Sequence, residues 1–211
     1  TKPTIININN IMGKKIPDHL DDPLDNMLYK LCDALSNPFY ITGHTPNMIT
    51  TYSLITGILA CYFLYKENIQ LFAALYFISY FFDCFDGYFA RRYKMTSKFG
   101  DIYDHAKDTI VNVLLLIVIF YKYYNNVTIA NLAIIAILFG LFTVHMGCQQ
   151  KYYKSVQDAN GEQNHSETID AYGVMCKDAN YLRYTRFFGP GMLTIFVMVM
   201  AWWVWYKKIN T

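Results

Sequence analysis

Asp83, Asp86, Asp101, Asp104 and Asp108 fall within one short stretch, FFDCFDGYFARRYKMTSKFGDIYDHAKD, of a chain otherwise rich in apolar residues. Carboxylates can hold hard cations or take up protons, and their spacing decides which of them can cooperate. Asp83, Asp86, Gly87, Ala90 and Arg91 stand at i, i+3, i+4, i+7 and i+8, which is one face of a helix. Gly100, Asp104 and Asp108 stand at i, i+4 and i+8, again one face. Asp101 fits neither pattern and reads as an acid stabilising the first turn of a helix. The short basic loop 92–99 makes the two helices antiparallel neighbours, so the two acidic faces can meet.

Four like charges brought together repel, and each acid near mid-membrane costs on the order of 2.5–3.5 kcal/mol. A multivalent cation removes both problems. All-oxygen ligands select Mg²⁺, Mn²⁺ or Ca²⁺ over zinc, and four carboxylates suffice for two ions about 3.5–4 Å apart. Gly87 and Ala90 leave a shallow lane between the acids, and Arg91 can fork onto a phosphate. Together these residues suggest a diphosphate substrate. The blander alternatives are close helix packing for Gly87 and Ala90, and a topology signal for Arg91 and Arg92.

The elements that must position these residues are membrane helices. Of 211 residues, 54% are hydrophobic, and they gather in long blocks. The blocks lie at about 47–65, 70–89, 101–122, 127–147 and 187–206. Each approaches the ~20 residues that cross roughly 30 Å of hydrocarbon. Ahead of them, Leu24, Met27, Leu28, Leu31 and Leu35 recur at helical spacing. They predict an amphipathic helix from Pro23 that ends before Pro38 and lies in the headgroup plane. The predicted fold is an all-α integral membrane protein, a bundle of five or six transmembrane helices behind this interfacial helix. The chain divides into an N-terminal polar arm (1–22), the interfacial helix and linker (23–45), and a transmembrane catalytic domain (46–206) with a polar cytoplasmic stretch at 148–182.

The net charge of +2 and its dispersal in short loops exclude a nucleic-acid surface. Arg91, Arg92, Lys94 and Lys98, with Lys151, Lys154, Lys177, Arg183 and Arg186, place the aspartate-rich loop in the cytoplasm together with the N-terminal arm. Five spans then leave the C-terminus on the far side, against which Lys207 and Lys208 argue mildly. Trp202, Trp203, Trp205 and Tyr206 read as an interfacial aromatic belt. No secretory signal peptide is expected in the N-terminal segment. Cys32, Cys61, Cys84, Cys148 and Cys176 lack metal spacing, and their odd number points to reduced, structural thiols. The sequons at Asn126 and Asn164 decide nothing.

The aspartate stretch matches D-x2-D-G-x2-A-R-x8-G-x3-D-x3-D at every fixed position and gap, through Asp83, Asp86, Gly87, Ala90, Arg91, Gly100, Asp104 and Asp108. It resembles the class I CDP-alcohol phosphatidyltransferase family, and TPNMIT resembles that family's Pro-Asn-x-x-Thr opening of the first span. The resemblance covers residues 20–147. It implies attack of an acceptor hydroxyl on the β-phosphorus of a CDP-linked alcohol, with release of CMP. Asp83, Asp86 and Asp104 would hold two Mg²⁺ or Mn²⁺ ions, and Asp108 would be both near the metals and the general base. Gly87, Ala90 and Gly100 would make room for the cytidine, Asn47 and Thr50 would contact the nucleotide, and Arg91 would assist the diphosphate.

The family pattern has six spans where five are counted here. His105 is a candidate for tuning acceptor choice, and Arg183 and Arg186 for binding an acceptor phosphate or lipid headgroup. The Asp-His pair resembles choline and ethanolamine phosphotransferases, whereas the short length suits users of CDP-diacylglycerol. The partners implied are a CDP-linked alcohol and an alcohol acceptor, one of them a lipid, and a possible second copy of the chain in a homodimer. In a eukaryote the membrane would be of endoplasmic-reticulum type. A different class, a divalent-cation channel or transporter, would also place acids in membrane helices. It would need acids along a conduit, whereas these gather at one end.

Overall fold

The computed structural model describes residues 13–160, 176, 178 and 181–210, with backbone alone for 157–160. Residues 1–12 of the N-terminal arm and 161–175 of the polar stretch, including Asn164, lie outside the described residues. Apolar runs bounded by good capping residues dictate the helices. α1 spans Pro23–Ile41 and α2 Pro46–Tyr65, each with proline at its start and an Asp22 or Thr45 cap. α3 spans Ile69–Arg92 behind Asn68, and α4 spans Lys98–Tyr123 behind Ser97. α5 runs Ile129–Asn160, a short α6 covers Leu182–Thr185, and α7 spans Pro190–Ile209. No strand occurs among the described residues.

This is an all-α membrane protein. α2, α3, α5 and the α6–α7 segment are each long and apolar enough to cross a bilayer. α4 has 26 residues, but its first half carries the site charges. The long helices alternate in direction. Glu67, between α2 and α3, pairs with Lys122 at the end of α4 (3.4 Å) and with Lys208 at the end of α7 (2.5 Å). Its carboxyl is held below the usual range by the Lys208 hydrogen bond. That pairing accounts for lysine at the end of the last helix, where the loop-charge pattern disfavoured it.

Three expectations need correction. α1 continues through Pro38 to Ile41 instead of stopping before the proline. Pro38 deprives the Ala34 carbonyl of its helical donor, but Ala34 is exposed, and the last turn closes by Thr42 N–H donating to the Pro38 carbonyl at 3.1 Å. α5 does not end at 147 but carries the first part of the polar stretch to Asn160. The thiols are not all reduced. Cys148 and Cys176 form a disulfide, while Cys32, Cys61 and Cys84 are free. Twenty-eight residues separate the pair in sequence, and only the fold brings their Cα atoms to 5.0 Å.

α1 packs on α3 and α7. Its protein-facing residues are Asp25, Leu28, Cys32 and Ser36, whereas Met27 and Leu31 are 67% and 48% exposed. Asp22 joins two helix starts. Its carboxylate accepts from Leu24 N at the start of α1 (2.8 Å) and from Met192 N at the start of α7 (2.9 Å). α7 lacks a side-chain cap of its own, so α1 supplies one. The approach is close. A Cβ on Gly189 would come within 2.5 Å of Asp22 Oδ2, and one on Gly191 within 2.7 Å of Asp25 Oδ1.

Two predictions follow from this junction. Asp22→Ala removes both caps and should lower stability by about 2 kcal/mol, seen as a reduced thermal midpoint in detergent. Asp22→Asn keeps the acceptor oxygen and should retain most of that stability. The neighbouring Asp21 is buried, and burial raises its carboxyl to about 7. A raised folded-state value means that its contribution is complete below the unfolded value near 3.8 and is lost as pH climbs through about 7. Asp21→Asn should therefore melt higher than the unmodified protein at pH 8 and flatten the fall in midpoint between pH 4 and 8.

Candidate active site

The site depends first on how closely α2 and α3 approach. Ser53 and Ser79 donate reciprocally to each other's backbone carbonyls, both at 2.8 Å. One turn along α2, a Cβ on Gly57 would sit 2.8 Å from Val111 of α4 and 2.9 Å from Ser79 Oγ. Small and hydroxyl side chains thus bring three helices together next to the acids. Phe85, Phe89, Tyr88, Ile49 and Cys32 pack on one side of this polar layer. Ala60, Cys61, Leu64, Phe72, Val111 and Leu115 pack on the other.

Here the two acidic faces meet as their spacing predicts. Asp83 on α3 and Asp104 and Asp108 on α4 each offer a carboxylate oxygen, and these oxygens lie within 4.8 Å of one another. Among them sits a residue that periodicity passed over. Lys107 is 2% exposed, and its ammonium pairs with Asp83, with Asp108 Oδ1 at 2.7 Å and with Asp104 Oδ1 at 3.2 Å. The last contact has ion-pair distance without hydrogen-bond geometry, and Asp104 Oδ1 is buried without a hydrogen-bond partner. The DHAKD run held the only available signal, a lysine three residues after Asp104, the separation at which helical ion pairs form.

Asp86 neighbours the trio without being one of its converging acids. It is 5% exposed, and its Oδ2 accepts from Thr50 Oγ1 of α2 at 2.6 Å. Thr50 thus touches a motif acid directly. Asn47 lies beside Gly100, where a Cβ would meet Asn47 Oδ1 at 3.2 Å and Ser97 Oγ at 3.1 Å. Thr51 Oγ1 and Tyr103 OH, 3.0 Å apart, add a second link between α2 and α4. Ala90 is half-buried.

Arg91 folds back over Gly87, with Nη1 3.0 Å from where a Cβ would lie. Its Nε donates to the Gly13 carbonyl at 2.6 Å. Gly13 has φ +84° and lies so close to Tyr88 that a Cβ would come within 2.8 Å of the ring. Ile16 is fully buried. The described end of the N-terminal arm is therefore packed against the motif helix, a contact that its polar composition did not reveal.

The remaining candidates make no ion pair with the trio among the described residues. Asp101 is exposed in the first turn of α4, as its position suggests. His105 is exposed. Arg183 is exposed on α6, and Arg186 donates to the His19 carbonyl at 3.0 Å. Neither arginine forms an ion pair with an aspartate among the described residues.

The donor set suits a hard divalent cation. Its ligands are carboxylate oxygens only, they converge within one coordination shell's breadth, and one buried oxygen lacks a hydrogen-bond partner. Asp83, Asp104 and Asp108 are the residues that could hold such an ion, with Asp86 beside them.

The family model for CDP-alcohol phosphatidyltransferase matches residues 43–207, more than half of the chain. No curated protein and no solved structure matches it. The match begins before α2 and takes in all of the site helices.

The Thr50–Asp86 hydrogen bond yields a direct test. Thr50→Val leaves a buried carboxylate oxygen without its donor and should destabilise the protein by about 1–3 kcal/mol, measured by thermal unfolding. Thr50→Ser keeps the hydroxyl and should recover most of the loss.

Proposed function

The chain belongs to the CDP-alcohol phosphatidyltransferase family, transferases of substituted phosphate groups in phospholipid synthesis, and from that premise we propose its reaction. An acceptor hydroxyl attacks the β-phosphorus of a CDP-linked alcohol. The phosphorus–oxygen bond to the CMP portion breaks, CMP leaves, and the acceptor's proton passes to Asp108. The observation that carries this reading is the convergence of Asp83, Asp104 and Asp108 within 4.8 Å, on helices that carry the complete eight-residue motif. Bound at these carboxylates, Mg²⁺ or Mn²⁺, one ion or two, supplies neutralisation of the diphosphate charge.

The chain's own residues fit the remaining tasks. Phosphoryl transfer asks mostly for positioning and charge complementarity. Asp108 is the most accessible carboxylate of the trio, with its side chain 52% exposed against 34% for Asp104 and 27% for Asp83. A hydroxyl arriving from outside the bundle meets it first. A carboxylate is a weak base for an alcohol, so it takes the proton late, as the hydroxyl acidifies in the transition state. Asp83 and Asp104 hold the more enclosed positions of ligands. Asp86, oriented by Thr50, completes the acidic set. Gly87, Ala90, Asn47 and Gly100 line the nucleotide side, where the absence of large side chains leaves room for a flat base. Arg91 reaches the diphosphate by leaving the Gly13 carbonyl.

The acidic end faces the cytoplasm, in keeping with the basic loop after α3. α1 lies in the headgroup plane with Met27 and Leu31 toward lipid. The donor is CDP-diacylglycerol, or CDP-choline or CDP-ethanolamine. A homodimer is the assembly in keeping with the family. His105, Arg183 and Arg186 are candidates for contacts with the acceptor or a lipid headgroup.

The test is CMP release by purified protein in lipid nanodiscs. CDP-diacylglycerol with inositol, serine or glycerol phosphate is compared with CDP-choline and CDP-ethanolamine plus diacylglycerol. One pair should turn over with Mg²⁺ or Mn²⁺ and stop on chelation. Asp108→Asn should reduce CMP release by about 100-fold or more with little change in thermal midpoint. Full activity in that variant would remove Asp108 from the role of base.

A further inference from the structure

Lys107 raises a question that the motif chemistry leaves open. Its ammonium occupies the point on which the three carboxylates converge, in contact with all of them. A divalent cation bound by the same oxygens would need that place. Two positive centres cannot share it without strong repulsion.

We propose that Lys107 is a resident counter-ion of the metal site: it offsets part of the charge of the carboxylate trio in the metal-free protein and is displaced when a divalent cation binds. This deepens the metal-dependent reading above and rests on it. Three observations carry it. Lys107 is 2% exposed and forms its ion pairs with the trio among the described residues, so it is built into the helix interface. Its neighbour Asp104 Oδ1 remains without a hydrogen bond, so the ammonium satisfies the cluster incompletely, as a placeholder would. There is also a place for it to go. A cavity of about 50 Å³ adjoins Lys107, lined by Ser53, Ser79, Tyr80 and Thr194 in addition to Asp83 and Asp108. Those hydroxyl groups can accept from an ammonium that has moved aside.

The displacement has two consequences. Metal-free protein keeps its acidic helices together because the repulsion between α3 and α4 is already relieved. Metal binding is correspondingly weakened, because the incoming ion meets a cluster that has lost part of its negative charge and must move a cation. Lys107 thus sets the metal concentration at which the site fills and is a positioning residue, not one that touches the reacting phosphorus.

The experiment measures metal binding and unfolding of the full chain in nanodiscs, without substrate. Free Mn²⁺ is followed by electron paramagnetic resonance, and thermal midpoints are read with EDTA and with saturating Mn²⁺. Lys107→Met should bind Mn²⁺ at least about tenfold more tightly than the unmodified protein, melt lower in EDTA, and melt equally high with Mn²⁺. Lys107→Gln should do the same. Recovery of either variant only when Mn²⁺ is kept in every buffer also agrees with the proposal. Unchanged or weaker Mn²⁺ affinity would overturn it. So would an equal loss of midpoint with and without metal, or failure to recover both variants even in Mn²⁺, because each describes a fixed structural ion pair. If the unmodified protein and both variants bind no Mn²⁺, the metal reading of the trio falls, and this inference falls with it. If Mn²⁺ binds but the affinities are equal, only the inference fails.

Discussion

Three carboxylates from two helices converge on one point at the edge of the bundle, and that convergence constrains everything around it. Left alone, the charges would drive α3 and α4 apart. Lys107 opposes that repulsion from within the cluster. Its location one residue before Asp108 matters, because the same helix turn that aims the acids inward also delivers the counter-ion.

The rest of the bundle holds this cluster in register. α2 is drawn onto α3 through the paired Ser53 and Ser79 hydroxyls, and onto α4 through the space left at Gly57. At the other end, Glu67 ties the ends of α4 and α7 together. α1 closes the arrangement by capping α7 through Asp22. Tyr80 of α3 donates to Asp25 of α1, so the amphipathic helix is bonded to the acid-bearing helix a turn away from Asp83. Burial pushes the Asp25 carboxyl well above its ordinary range, with the nearby Asp22 charge adding to the effect. These polar contacts share one logic. Inside an apolar bundle a hydrogen bond has few competitors, so a small number of them suffices to fix helix positions.

The motif residues divide into groups that their spacing treats as equivalent. Asp83 and Asp86 are one turn apart on the same helix face, yet Asp83 joins the trio while Asp86 turns toward Thr50. Arg91 is engaged by the Gly13 carbonyl and lies across Gly87, so the N-terminal segment is in contact with the candidate nucleotide side. The polar arm is coupled to the bundle at this point.

Much of this protein was legible in its sequence. Apolar block lengths determined α2, α3, α4 and α7 to within a few residues, because crossing hydrocarbon demands both length and internally satisfied backbone. Helical periodicity alone placed Asp83, Asp104 and Asp108 on facing sides of α3 and α4, but not the turn of Asp86 toward α2. Capping residues marked most helix starts, since unsatisfied amide groups need a local acceptor. What the sequence did not determine depends on partners distant along the chain. The Cys148–Cys176 disulfide, the capping of α7 by Asp22 and the Gly13–Arg91 bond all join segments that periodicity cannot relate. Which acids share a charge centre, and that Lys107 lies at that centre, was decided only by the tertiary structure. Spacing fixes the face on which a side chain emerges, but a long flexible lysine ends where the surrounding charges draw it, and those charges come from two helices at once.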